Sequence, residues 1–537
     1  MKGEKRQNGE FVGRHISMRI YDGTIITCDA QNTIVRYLVE DKGKIVYVGN
    51  DLPSEYEGGN RVSLGKKALI PSFADTHMHF ASFAIFHAGL NVMEARSNQE
   101  ISTMLSEFVK NNKDRLIIAF GASPYSVSER RLITREEIDA VCSDRPVMVV
   151  KYDGHACTIN SALLNRIKDK IKGLRGYNED TGEMQQEAFF QVSNYVTKSV
   201  SVLKLVSNMK QALDYMASKG IGMIHTVSGV GFPKDLDVDL ERWFGRGIRN
   251  GMQLRVFFQT LKIEHVVKRK LPRIGGCFAT ALDGCYGSKD AAMLKPYEGT
   301  DQKGVLYYSD EQVTQFCKKA NRANLQIELH AIGDAAFNQA TKAIQAALDD
   351  NPRENHRHGI IHACLPTKEG LKICKEYQIQ IPLQTSFIHW KQEPDEYLAE
   401  ILGERSQRLN PLATFLENQI TFSAGSDAPC TSPDPLLWIH NACNHSNQNE
   451  EISVYEALRM STYHGYAATF DEKERGSLEV GKIADMVILS ENPYEIEKER
   501  LKEIKVQQLY LTGKPYKGVK TNSILLLLKG MCSRRKI

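Results

Sequence analysis

Short apolar runs recur along the middle of the chain, each broken by glycine or polar residues, and several are followed by positions with a helical apolar period. Eight of them read as strands: residues 70–79 (IPSFADTHMH), 220–227, 254–261, 277–284, 325–334, 358–365, 379–386 and 420–427. Helices are predicted over 310–323, 334–348 and 454–466. Strands alternating with helices imply βα units and a parallel sheet. Eight such strands are the number in an α/β TIM barrel, (β/α)8, here expected over residues 71–475. Residues 80–205 are too many for one connection and hold strand-like runs of their own (LIIAFGAS, RPVMVVKY). They predict an insertion covering the barrel mouth.

The two ends are patterned differently. Residues 17–70 and 476–520 alternate short β-rich runs with turns, and a small β-sandwich composed of both ends is the economical expectation. That leaves 1–16 and 521–537 as tails. The opening residues are basic, but no apolar core of a secretory signal follows them. The apolar run at 523–528 falls far short of the ~20 residues a membrane helix needs. It reads as a final strand or a packed terminal segment, and no integral membrane segment is expected.

Composition narrows the function classes. Apolar residues at 42% and charged residues at 25% are those of a soluble globular protein. The net charge of +4 is spread among both signs, without the basic stripe of a nucleic-acid binder. Eleven cysteines, odd in number and without a CxxC pair, argue against a disulfide framework and for a reduced, cytoplasmic compartment. The expected partner is a small-molecule substrate, with self-association into a homo-oligomer left open.

Candidate chemistry gathers at the ends of the predicted strands. In 70–79 the apolar run closes on His77 and His79, which point to one face because strand side chains alternate. Two neutral imidazoles on one face are half of a divalent-metal site. Alone, such a pair is more often surface or core than ligand. Three further ligand-type residues close later runs: His330, His362 and Asp427. Each alone reads as a core or capping residue; five in barrel order point to a metal-dependent enzyme.

The motifs around these residues carry a resemblance. His77-x-His79, HAIGDAA at 330–336, IIHA at 360–363 and GSDAP at 425–429 follow the metal-ligand order of the amidohydrolase superfamily, and the chain resembles its YtcJ-like, amidohydrolase-3 group. Supporting matches are SDRPV at 143–147, DGHA at 153–156, NSAL at 160–163, LDGCYG at 282–287 and GSLEVGKIAD at 476–485. The resemblance spans roughly residues 19–516 and implies a metal-assisted hydrolase of non-peptide carbon–nitrogen bonds, of amide, N-acyl or N-formyl type. It implies one or two divalent ions, zinc foremost. His77, His79 and Asp427 would hold the more buried ion and His330 and His362 the second. Asp427 would act as general base toward metal-activated water, and His155 would grip the substrate.

One departure stands out. The family's bridging lysine, four residues before the fourth-strand Asp-Gly, falls here on Ala279, and no lysine occurs in 277–283. Glu328, two residues before His330 on the same face, is the expected replacement, because an inward acid needs a counter-charge that a metal supplies. Cys277, a soft ligand on the face of Ala279, is the alternative. Two rival functions remain: a deaminase on the same scaffold, and a binding protein that lost catalysis with the lysine. The deaminase reading is weakened by Gly333, which occupies the place where such enzymes carry a glutamate. His389 and Trp390, near the seventh strand, hint at an aromatic or apolar substrate group.

Overall fold

The strand Asn60–Pro71 ties the two ends of the chain together. In the computed structural model, which describes residues 18–537, it runs parallel to Arg19–Ile26 on one edge and antiparallel to Met486–Leu489 on the other. Its twelve residues pair with Arg19–Ile26 from Asn60 to Leu69 and with Met486–Leu489 from Ala68 to Pro71. The result is one seven-stranded sheet in the order Lys514–Pro515, Val506–Leu511, Met486–Leu489, Asn60–Pro71, Arg19–Ile26, Ile34–Asp41, Lys44–Gly49. The strands of the two ends are therefore joined edge to edge in a continuous sheet. An antiparallel bridge from Lys44 to Ile483, with Ile45 N–H donating to the Lys482 carbonyl at 2.9 Å, brings the far edge of the sheet back beside the start of Met486–Leu489. One face of this sheet buries Tyr21, Ile25, Leu38, Leu69 and Met486, and Ile20 and Val39 lie in a second small cluster.

Leaving this sheet at Pro71, the chain enters a parallel sheet of six strands in the order Gly359–His362, Gln326–Ala331, Arg273–Ala281, Gln253–Phe258, Ile221–Ser228, Phe73–Met78. Ile381–Leu383 and Phe422–Ala424 form a parallel pair. Parallel bridges join that pair to the sheet at both edges, Gly359 to Gln380 and Met78 to Ala428, so the curved sheet is nearly closed. Near-continuous apolar runs suit these strands because both faces are covered. The helices Asp310–Arg322 and Asp334–Asp350 pack outside, the first opened by a capping box of Ser309 and Gln312. The predicted helix over 454–466 is two, Val454–Ser461 and Tyr463–Ala467, separated by Thr462 with non-helical backbone angles.

Residues between the first two barrel strands build a separate five-stranded sheet, in the order Glu183–Gln185, Ala156–Ile159, Val147–Lys151, Ile117–Ala122, Leu90–Asn91. Ile117, Ala119, Val147 and Val149 pack on Ile101 and Leu105 of the helix Asn98–Asn111 in a core of their own.

The far end of the chain is a helix, Ser523–Met531, and not a strand. It packs on the helix Leu236–Gly247, burying Leu526 and Leu527. Beyond it Arg535 donates to the main-chain oxygens of Ile248 and Met252, and Arg273 donates to that of Ile537. Residues 523–537 are thus docked beneath the barrel, while the expected tail at 1–16 lies outside the described residues. No helix among the described residues is long and apolar enough to cross a membrane.

Lys536 also joins the most deeply buried ion pair at that end. Arg255 grips Asp471 in a two-point contact of 2.8 and 2.7 Å, Lys536 approaches at 2.9 Å, and the Thr469 hydroxyl donates at 3.0 Å. Burial alone would raise the Asp471 carboxyl; Arg255 and Lys536 outweigh it and hold it below its usual value. A carboxyl depressed on folding contributes stability that is present above its unfolded value, near ~3.9, and lost as pH falls toward the folded one. Asp471→Ala is expected to cost about 3–5 kcal/mol at neutral pH, because it strands a buried guanidinium. Denaturant unfolding at pH 7 checks this, and the gap between wild type and variant should shrink as the pH is taken below the unfolded carboxyl value.

Candidate metal centre

His77 is the penultimate residue of the strand Phe73–Met78, and His79 is the N-cap of the helix Phe80–His87 that follows. Their spacing brings both imidazoles to the mouth of the barrel. Asp427 comes from the opposite seam, three residues beyond Phe422–Ala424, with a left-handed backbone (φ 54°). Its N–H donates to the His77 carbonyl at 2.7 Å. One residue earlier, the Ser426 N–H and hydroxyl donate to Asp75 at 2.9 and 2.6 Å. Gly425 lies so close that a Cβ there would meet the His77 nitrogen at 2.6 Å, which requires glycine at the seam.

His330 lies in the strand Gln326–Ala331 and His362 ends the strand Gly359–His362. His362 and Ala363 both have positive φ (70° and 47°), a conformation that costs non-glycine residues on the order of 1–3 kcal/mol each and concentrates at functional sites. The Ala363 N–H pins this turn by donating to the Ala331 carbonyl at 2.9 Å.

The four histidines and Asp427 converge on one buried space, and a cysteine joins them. Asp427 Oδ1 is 3.3 Å from Nε2 of both His77 and His79. Cys277 Sγ lies 3.1 Å from His77 Nε2, 3.5 Å from His330 Nδ1 and 3.7 Å from His362 Nε2. Among the described residues, two groups have donor atoms within 4.8 Å of one another: His77, His79, Cys277 and Asp427, and Cys277, His330 and His362.

Their surroundings prepare them to donate. Gln384 Oε1, 2.5 Å from His362 Nδ1, can only accept, so the proton sits on Nδ1 and the Nε2 lone pair faces the centre. The Gly284 carbonyl, 3.4 Å from His330 Nε2, frees Nδ1 in the same way. Burial lowers His77, pushes His330 down to about 4 and takes His362 well below the usual range, so these rings are neutral at pH 7. Burial would raise Asp427, but His77 and His79 outweigh it and hold the carboxylate well below its usual value. Asp427 Oδ1 has no aligned hydrogen-bond partner among the described residues. Neutral imidazoles, an unpartnered carboxylate oxygen and a thiol fit a divalent ion.

Glu328 is placed otherwise than expected. It is buried two positions closer to the foot of the barrel than His330 and belongs to neither donor group. Burial pushes its carboxyl well above the usual range against the opposing charge of Arg273. Ala279 does not occupy a ligand position either. Gly276 pairs with Leu329 and Ala281 with His330, so residues 277–280 bulge out of register, and counting along a regular strand misplaces them. The bulge carries Cys277 into the centre, and the Ala279 carbonyl accepts from the Tyr308 hydroxyl at 2.9 Å.

Above the donors opens a cavity of about 1130 Å³. Phe278, Phe387 and Trp390 line its wall with Lys151, Asp153 and His155 from the five-stranded sheet region. His155 is exposed, its ring 5.8 Å from that of Phe278. His389 turns away to the Asn444 carbonyl at 2.9 Å. Two wall features escaped the sequence reading. Lys151 holds Asp153 at 2.6 Å, and Glu393, raised to about 7 by burial, accepts from Tyr152 and from the Gly287 N–H, both at 2.9 Å. The spacing Lys-x-Asp before His155 was a usable signal for the first; nothing local marked the second. Asp283 fastens the loop after His330, accepting the N–H groups of Ile332 and Gly333 at 3.0 and 2.7 Å. Asp334 is engaged by the Leu294 N–H at 2.7 Å.

Residues 62–516 match the model of the amidohydrolase family. The chain belongs to this family. It is accordingly an amidohydrolase, a hydrolase of carbon–nitrogen bonds. It is 24% identical to YtcJ of Bacillus subtilis over 84% of this chain and 89% of that protein. It is 21% identical to the N-substituted formamide deformylase of Arthrobacter pascens over 92% and 97%. An uncharacterized metal-dependent hydrolase from Pyrococcus furiosus superposes with a TM-score of 0.72 at 23% identity, over 89% of this chain and 100% of that one. That last likeness concerns the fold.

The Gln384 contact yields a measurable expectation. Gln384→Leu removes the acceptor that orients His362 and should weaken retention of the divalent ion by roughly 10–100-fold, the usual cost of losing such a supporting contact. Equilibrium dialysis of the folded variant reads it. Wild-type retention would mean that His362 needs no such orientation.

Proposed function

We propose that this amidohydrolase uses a (β/α)8 barrel, completed by the Ile381–Leu383 and Phe422–Ala424 pair, to hydrolyse a small amide or N-formyl-type substrate with divalent metal, zinc being the best match to its donors. The observation that carries the reading is the convergence of the Asp427 carboxylate with four imidazoles beneath a cavity of about 1130 Å³. His77, His79 and Asp427 would hold one ion, and His330 and His362 face the space for a second. When bound, the metal supplies Lewis-acid polarisation of the scissile carbonyl and makes water acidic enough to lose a proton near neutral pH.

The protein's own residues do the rest. Asp427, held as a carboxylate, is the group positioned to take a proton from the attacking water and return it to the leaving nitrogen. Phe387 and Trp390 offer an apolar wall for the substrate's N-substituent, and His155, Lys151 and Asp153 offer polar contacts at the rim. Activity on an N-substituted formamide, as in the Arthrobacter relative, fits a cavity with one apolar wall. A deaminase is less well supported, because the residue three after His330 is Gly333 and the next, Asp334, is occupied by Leu294.

A panel of N-formyl, N-acyl, ureido and cyclic-amide compounds tests the reading, with release of the amine or acid as signal. Asp427→Asn should retain metal but lose about 10²–10⁴-fold in kcat, since an amide cannot accept the proton. A variant with near wild-type kcat would assign the base elsewhere. Chelation should abolish turnover and added divalent metal should restore it.

A further inference from the structure

Two donor groups at the barrel mouth share a single atom. The first contains two imidazoles and a carboxylate, the second only two imidazoles, and Cys277 Sγ alone belongs to both. Without it, an ion beside His330 and His362 would have two neutral protein ligands, fewer than the three that catalytic sites ordinarily supply. With it, that ion has three and the ion beside Asp427 has four.

The backbone is built to deliver this atom. The strand Arg273–Ala281 leaves register after Gly276, and four residues bulge before Ala281 rejoins opposite His330. Gly275 and Gly276 have positive φ (108° and 131°), and a Cβ on Gly275 would collide with the Glu328 carbonyl. The glycines therefore let the strand lie flush against its neighbour just before the bulge, and the Thr280 hydroxyl closes it by donating to the Gly276 carbonyl at 3.0 Å. Cys277 is buried, with its Sγ facing three imidazoles from three different strands.

We propose that Cys277, as a thiolate, is the bridging ligand of a two-ion centre, occupying the position that the missing lysine leaves vacant. The proposal rests on the metal-centre reading above and adds to it the ligand and the stoichiometry. On loading, Sγ forms one bond to each ion and the S–H proton leaves to solvent. The thiolate's negative charge, with that of Asp427, offsets two of the four positive charges. A soft sulfur bridge favours zinc or cobalt(II) over magnesium. It also makes loading independent of dissolved carbon dioxide, which a lysine carbamate would require.

Cobalt(II) titration of metal-free protein tests this without an activity assay. The expected result is two cobalt ions per chain, with a sulfur-to-cobalt charge-transfer band that continues to develop through the second equivalent. Cys277→Ser and Cys277→Ala, each checked for folding by circular dichroism, should lose the band and bind the second ion more than ~100-fold more weakly. Glu328→Gln should keep both the band and the two-ion stoichiometry. Two bound ions without the band, or with the band unchanged in the Cys277 variants, would overturn the bridge while leaving the metal centre intact. A band complete at the first equivalent would make Cys277 a terminal ligand and also overturn it. Wild-type protein that binds no divalent ion would overturn the metal-centre reading itself.

Discussion

The seam between the first and last barrel strands is the constraint on which the rest of the site depends. The Asp427 N–H bonds to the His77 carbonyl, Ser426 is clamped by Asp75, and Gly425 lies against the His77 backbone. That seam joins chain segments that are distant in sequence and makes a carboxylate and two imidazoles neighbours. Asp427 itself takes a left-handed turn there, with its carboxylate 3.3 Å from both imidazoles. The other histidines are positioned by the register of strands that the closed sheet holds in place. Loosening the seam would disperse the donors even with every ligand residue present.

Burial supplies the second half of the chemistry. Inside this pocket the same desolvation acts differently on each group. It keeps His330 and His362 neutral, which suits donation, and it raises the Glu328 carboxyl against the opposing charge of Arg273. Asp427 alone escapes, because two imidazoles surround it. Charge at the floor is thereby limited to what a cation can satisfy.

Much of this was legible in the sequence, and the exceptions have physical causes. Each of the eight apolar runs overlaps a strand, and the four histidines and Asp427 that close them do converge. Residues 277–280 misled because a bulge is a tertiary event: alternation along one strand cannot reveal where its partner resumes pairing. Alternation puts Glu328 on the face of His330, but which inward groups share one space depends on how neighbouring strands pack, and Glu328 lies in neither donor group. The sheet at the chain ends is continuous because one strand offers two edges, a fact of pairing and not of composition. Of the two readings of the run at 523–528, the packed terminal segment holds and the strand does not, since it is a helix on Leu236–Gly247. Glu393 carried no local signature because its partners, Tyr152 and Gly287, are remote in sequence.

The strand Asn60–Pro71 has a consequence for biosynthesis. One of its edges waits for Met486–Leu489, made tens of seconds later at ~5–20 residues per second. Throughout that interval the nascent chain displays an unpaired apolar edge, ALIP, of the kind that recruits other strands and seeds aggregation. Lys66 and Lys67, both exposed in the finished fold, directly precede that edge and place paired positive charges where a stray strand would dock. Paired charge at an apolar edge hinders such docking, and here it stands there before the catalytic residues can have met.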